Sequence, residues 1–281
     1  MRPQILLLLL CFAVTTSAWT AEDNWTAVQF NQTLKDSGRT GQVSSEDFKQ
    51  IQVQKENALA QIKEYLSAKF KKADDAVIKA FSEVPREYFH YNYEKNYLFA
   101  TKAYEVPAHP WAVGYGSALS DYLGQAYMTQ LAGVKPEDTV LEIGTGSGYQ
   151  IAVMSRMAKE VYSIEIIKPL GENVEKIFEP IKYGNVHVRT GDGFFGWVEV
   201  AGGFDVIIVT CAARFVPPAL LEQLKPGGRL IIPVGQPYKR GQFLYVYRKD
   251  SDGKVHSRKD MGVYFVPMKG AISSQPEPEK K

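Results

Sequence analysis

The stretch that most constrains this chain is Val140-Leu-Glu-Ile-Gly-Thr-Gly-Ser-Gly-Tyr149. An aliphatic run short enough for a strand meets glycine at alternate positions, and an apolar segment of helical length follows. Glycine turns the backbone sharply and lets a ligand approach with no Cβ in the way. In open α/β sheets, ligands bind in loops of this kind at the carboxyl ends of strands. The first N–H groups of a following helix can take a carboxylate.

The flanking sequence carries the same alternation onward. Strands are expected at Thr139–Ile143, Glu160–Ile164, Val186–Thr190, Phe204–Val209 and Arg229–Pro233. Helices are expected at Tyr149–Met157, Pro169–Phe178 and Val216–Leu224. Asp205-Val-Ile-Ile-Val209 is apolar without alternation, as in a strand covered on both faces. This is the pattern of an α/β fold with a doubly wound, mostly parallel, Rossmann-like sheet. Gln242–Arg248 and Met261–Val266, with the turn-rich Lys249–Gly253 between them, read as an antiparallel C-terminal edge. Ahead of the sheet, Ser45–Phe70 carries Ile51, Ala58, Ile62, Leu66 and Phe70 near a helical stripe. Asp74 can cap a second helix ending before Pro85, and Leu119–Leu131 reads as another.

A dinucleotide site is the obvious competitor, but its fingerprint needs glycine at the sixth position of G-x-G-x-x-G. Tyr149 stands there, and the third glycine comes one residue early. Glu142 adds a negative charge before the loop, which suits a cationic ligand better than a pyrophosphate. Glu165 ends the next strand about 20 residues after Gly144, the distance at which an acid reaches ribose hydroxyls. Gly191-Asp-Gly193 follows the third strand, where Asp192 could meet an adenine. Order and spacing together point to S-adenosylmethionine. The candidate cofactor residues are Glu142, Gly144, Thr145, Gly146, Ser147, Gly148, Glu165, Ile166, Asp192 and Gly193.

The ends of the chain read differently. Met1-Arg2, the apolar run Ile5–Val14 and the small residues Thr16 and Ala18 have the three-part layout of a secretory leader. The run is too short for a spanning helix, which needs about 20 apolar residues. Residues 1–18 are therefore expected to be a signal peptide cleaved after Ala18, or alternatively Ala21. The mature protein would be periplasmic or secreted, with no membrane anchor. Residues 19–50 are polar and read as a linker or loose extension. Residues 51–270 form the main domain, with an N-terminal helical cap over 51–131, and 271–281 read as a disordered tail. Cys11 would leave with the leader, so Cys211 would have no partner for an internal disulfide and reads as a buried structural thiol. The four histidines make no metal-ligand pair at helical spacing, and no metal is expected. With 33 basic and 31 acidic residues, nothing calls for a nucleic-acid partner.

Several of these pieces resemble the protein-L-isoaspartate O-methyltransferase family. They are Val84-Pro-Arg-Glu-Tyr-Phe89, Gly114-Tyr-Gly116, Val140–Tyr149, Glu160–Glu165, Asn185–Arg189, Gly191–Gly193, Val216–Leu230 and Phe265-Val-Pro-Met-Lys-Gly270. The resemblance spans roughly residues 60–270. It implies methyl transfer from S-adenosylmethionine to the free carboxylate of an isoaspartyl or D-aspartyl residue in a damaged protein or peptide. It also implies a substrate loop at Ser117, Ala118, Leu119, Ser120 and Asp121, with Ser120 on the family's active-site serine. Ala118 stands where the family has threonine, Tyr122 where it has proline, and Met268-Lys269 where it has Leu-Thr. These departures leave open a different acceptor on the same scaffold. A non-catalytic binding protein is also open, though the full cofactor set argues against it. Ser120 would orient the acceptor through a hydrogen bond; helix capping is its alternative role.

Overall fold

The computed structural model describes residues 25–236 and 241–275. The leader expected at 1–18 and the residues from 276 onward lie outside the described residues. Four helices come first: α1 (Ala27–Asp36), α2 (Ser45–Phe70), α3 (Asp75–Glu83) and α4 (Arg86–Phe89). Two small antiparallel hairpins follow, β1 (Tyr91–Asn92) with β2 (Tyr97–Leu98), and β3 (Trp111–Gly114) with β4 (Ser117–Leu119). Helix α5 (Tyr122–Ala132) leads into β5 (Thr139–Ile143), α6 (Tyr149–Ser155), β6 (Glu160–Glu165), α7 (Lys168–Glu175) and β7 (Val186–Thr190). Then come β8 (Phe204–Val209), α8 (Pro218–Glu222), β9 (Leu224–Val234), β10 (Gln242–Lys249) and β11 (Val255–Val263).

The seven strands β5–β11 form one sheet in the order β11-β10-β9-β8-β5-β6-β7. Pairing is parallel from β9 to β7 and antiparallel at β9–β10 and β10–β11. The chain winds outward from β5 to β7, then returns to place β8 on the other side of β5. That reversal opens a crevice at the carboxyl ends of β5 and β8, the usual ligand position in such sheets. Apolar burial on both faces explains the unbroken apolar run of β8. Val206 and Ile208 pack into the core shared with α5 and α6, while Ile207 and Val209 pack into the core beneath α8.

Three sequence expectations are corrected. Residues 19–50 do not form a loose linker where they are described. Thr26 and Gln29 make a reciprocal capping box that starts α1, and Phe30 and Leu34 are fully buried. Phe30 packs on Phe48, Trp25 stands edge-on to Tyr88, and Arg39 lies over the Tyr88 ring while donating to its carbonyl oxygen. Residues 271–273, expected in a disordered tail, form a 3-10 turn with Ile272 buried. The edge strand expected at Met261–Val266 runs instead over Val255–Val263, and residues 264–269 leave the sheet to lie along the end of β8. There the Ala212 N–H donates to the Val266 carbonyl and the Met268 N–H to the Ala212 carbonyl, each at 2.8 Å.

Candidate active site

The glycine loop after β5 holds conformations that side chains resist. Gly144 has φ +100°, and a Cβ there would lie 2.7 Å from Thr210 Oγ1. Thr210 closes the loop from β8, donating through Oγ1 to the Gly144 carbonyl at 2.6 Å. Gly146 has φ +55°, and its Cβ position lies 3.6 Å from Ser117 Oγ and 3.8 Å from the Ala118 carbonyl. The loop after β5 and the segment 117–121 therefore face each other across one narrow gap. They bound a cavity of about 410 Å³, within the range of small-molecule sites.

Thirteen of the fifteen residues named from the sequence line this cavity: Glu142, Gly144, Thr145, Gly146, Ser147, Glu165, Ile166, Gly193 and Ser117 to Asp121. Two do not. At Gly148 a Cβ would strike Val174 and Phe178 at 2.9 and 3.0 Å, so this glycine serves the packing of α7 against the loop. Asp192, expected to meet an adenine, uses both oxygens internally. Oδ1 accepts from the Phe194 N–H at 2.9 Å and Oδ2 from the Ala271 N–H at 2.6 Å. Its place on the cavity wall is taken by Gly193.

Glu165 is buried at the end of β6. Its Oε2 accepts from the Gly146 N–H and its Oε1 from the Ile167 N–H, both at 2.9 Å. Each oxygen keeps a lone pair for a ligand hydroxyl. Burial raises its pKa, which these N–H groups and Lys269 oppose. Glu142 has no exposed surface. Ser163 donates to its Oε2 at 2.5 Å and shares a 2.7 Å bond with Thr145, while Oε1 has no partner among the described residues. Burial above all pushes the Glu142 carboxyl from 4.5 up to about 8.

That shift has a consequence for stability. The folded protein holds a proton that the unfolded chain releases, so this group's contribution is complete below pH 4.5 and is lost as pH rises through about 8. Glu142→Gln should remove the loss. In ligand-free protein its melting temperature should gain on the parent's progressively between pH 5 and pH 9. Parallel melting curves across that range would show that Glu142 is not held protonated.

The segment 117–121 is anchored from below. Arg86, 1% exposed, donates from Nη2 to the Ser120 carbonyl at 2.7 Å, from Nε to the Ala103 carbonyl at 2.8 Å and from Nη1 to Gln125 Oε1 at 2.5 Å. Asp121, not Ser120, caps α5, accepting from the Gly124 N–H at 2.8 Å. The Ser120 hydroxyl has no bond among the described residues and lines the cavity. Tyr122 is buried and absent from the cavity wall; its hydroxyl points to Gln61. Of the two departures in this segment, only Ala118 faces the cavity.

Sequence reasoning missed the rest of the wall. Thr210 and Cys211 enter because β8 neighbours β5, which the carboxyl-end rule could have suggested. Cys211 is half-buried in the cavity wall, not a core thiol. Its thiol is pushed up by burial and by the charges of Glu165 and Glu142, which keeps it protonated and unreactive. Tyr65 and Tyr127 come from the N-terminal helices, and Met261, Phe265 and Lys269 from β11 and the segment after it. No local motif marks Tyr65, Tyr127 or Met261, whereas Phe265 and Lys269 lie in the stretch Phe265–Gly270, which by itself does not place them at the cavity.

Over residues 54–273 the sequence matches the family described as protein-L-isoaspartate(D-aspartate) O-methyltransferase. A protein-L-isoaspartate O-methyltransferase of Nitrosospira multiformis is 49% identical over 58% of this chain and 68% of its own length. One from Syntrophobacter fumaroxidans is 45% identical over 70% of this chain and 76% of its own length. Among solved structures, a protein-L-isoaspartate O-methyltransferase superposes with TM-score 0.67 at 28% identity, covering 78% of this chain and 67% of its own. A putative one from Plasmodium falciparum, in complex with S-adenosyl-L-homocysteine, gives TM-score 0.59 at 25% identity, covering 74% of this chain and 97% of its own.

Proposed function

This chain belongs to the protein-L-isoaspartate(D-aspartate) O-methyltransferase family, and on that premise we propose that it methylates the free carboxylate of isoaspartyl or D-aspartyl residues, using S-adenosylmethionine. The observation that carries the reading is the facing of two loops across one cavity. The glycine loop supplies a cofactor wall, and residues 117–121 supply an acceptor wall within van der Waals reach of it.

The residues present fit the cofactor. Gly146 leaves a cradle that a Cβ would fill. Glu165 offers lone pairs to ribose hydroxyls, and Glu142 brings an unpartnered buried oxygen to a site for a cation. Glu165, Ile166, Gly193 and the glycine loop would hold the nucleoside and amino-acid parts. Bound there, S-adenosylmethionine supplies an electrophilic methyl group together with its leaving group.

The chain's own task is then geometric. An acceptor carboxylate has a pKa near ~4 and is already ionised at neutral pH, so no general base is required. Segment 117–121 orients the carboxylate, with the free Ser120 hydroxyl as donor. Arg86 fixes the backbone from which Ser120 projects. Tyr65, Tyr127, Met261 and Phe265 close the cavity with apolar surface, which keeps water from the reacting atoms.

Methyl incorporation into an isoaspartyl peptide, beside its ordinary aspartyl twin, tests the reading. Turnover of the isoaspartyl peptide alone is expected. If neither peptide is methylated by protein that retains S-adenosylmethionine, the acceptor assignment fails.

We also propose export, on the layout of residues 1–18. The mature chain should begin at residue 19 or 22 and fractionate outside the cytosol. A cytosolic chain that keeps residues 1–18 would overturn this.

A further inference from the structure

Four acidic or basic residues line the cavity: Asp121, Glu142, Glu165 and Lys269. Three are acids, of which Glu142 is held protonated by burial. An acceptor that is itself a carboxylate must enter beside the other two, and like charges at short range oppose it. Lys269 is the one cation on the wall among the described residues. It has no ion pair or hydrogen bond among them; its charge acts on Glu165 only at longer range, opposing that carboxyl's raised pKa.

Its position is set by its neighbours. Val266 and Met268 bond to Ala212 at the end of β8, and Met268 is buried. This fixes the backbone from which Lys269 extends. Its Nζ lies 3.9 Å from where a Cβ on Gly116 would stand, at the turn that leads into segment 117–121. It therefore belongs to the acceptor side of the cavity. Ala118, on the same side, has no polar side-chain atom to offer the acceptor.

We propose that Lys269 recognises the carboxylate of the methyl acceptor and makes the site selective for anionic acceptors. The proposal rests on the methyl-transfer reading above. The ammonium is a point charge on a flexible stem. It attracts the acceptor into the cavity, and Ser120 orients the acceptor within it. Lys269 contributes binding and not rate acceleration, since the acceptor's negative charge falls as the methyl group arrives, so the attraction is no stronger in the transition state than in the ground state.

The test compares the full chain with Lys269→Met and Lys269→Arg. With an isoaspartyl peptide, Lys269→Met should raise KM about 10-fold, the size of one charge-assisted hydrogen bond, with kcat within twofold. Lys269→Arg should restore most of the affinity. The parent's KM should rise with salt, and that dependence should flatten in Lys269→Met. Affinity for S-adenosylmethionine should change less than the peptide KM, since Lys269 reaches Glu165 only at longer range. An unaltered peptide KM and salt dependence in Lys269→Met overturns the proposal, as does a loss confined to cofactor affinity. If the parent does not methylate the peptide, the methyl-transfer reading has failed separately. Equilibrium binding of the same peptide to parent and Lys269→Met, with S-adenosylhomocysteine present, then decides the role of Lys269. Weaker binding to the variant supports the proposal, and equal or absent binding overturns it.

Discussion

Gly146→Ala should weaken S-adenosylmethionine binding by about 100-fold or more and leave a folded protein. Two numbers separate the effects. At φ +55° the residue sits in the left-handed region, where a non-glycine residue costs about 1–2 kcal/mol. In a chain of this size that lowers the melting temperature by only a few degrees. The new methyl would meet Ser117 Oγ at 3.6 Å, an ordinary contact, so nothing in the empty protein has to move. What the methyl does occupy is the gap between the two loops, where the cofactor must approach the backbone. Calorimetric titration beside a melting curve checks both halves. Affinity within threefold of the parent's would mean that Gly146 does not border the cofactor. Gly144→Ala makes a useful contrast. Its Cβ would press on Thr210 Oγ1 at 2.7 Å, so stability and binding should fall together.

Arg86→Met should cost on the order of 3–5 kcal/mol of stability. Three acceptors, the carbonyls of Ala103 and Ser120 and the side chain of Gln125, lose their donor at once. All lie where water does not replace it easily, and each unsatisfied buried group costs about 1–3 kcal/mol. Burial lowers the Arg86 pKa, so part of the loss is offset by no longer desolvating a charge. Activity should fall further than stability explains. The Ser120 carbonyl is one bond network away from the hydroxyl that meets the acceptor, and a shift of about 1 Å in such a group can cost 100-fold in rate. Denaturation midpoints, with kcat measured well below the melting transition, check both. Arg86→Lys, with one nitrogen in place of three, should recover only part of either loss. A fully stable Arg86→Met protein would show that the three acceptors find other partners.

The core of the fold was legible because its signals are local. Strand β5, the glycine loop and α6 follow from seventeen consecutive residues, Thr139–Ser155, and the apolar run of β8 announces burial on both faces. The capping box at Thr26–Gln29 is equally local, but the polar composition of the surrounding residues masks it. Ala27, Phe30 and Leu34 mark one buried face on a helix whose other residues, apart from Val28, are polar. The edge strand was displaced for a different reason. Both Val255–Val263 and the segment after it carry apolar residues, and only pairing with β10 selects which of them continues the sheet.

Backbone chemistry written in the chain therefore determined the nucleotide half of the site: glycines where φ must be positive, and acids at the ends of β5 and β6. Which of those residues face the ligand was decided in three dimensions. Asp192 has the right type and spacing, yet its oxygens are taken by Phe194 and Ala271, partners 2 and 79 residues away. Thr210, Tyr127 and Lys269 reach the cavity only because β8 returns beside β5 and the segment after β11 folds across the strand ends. Spacing along a chain encodes hydrogen bonds within a turn or a strand; it carries no record of which distant segments close over the same space.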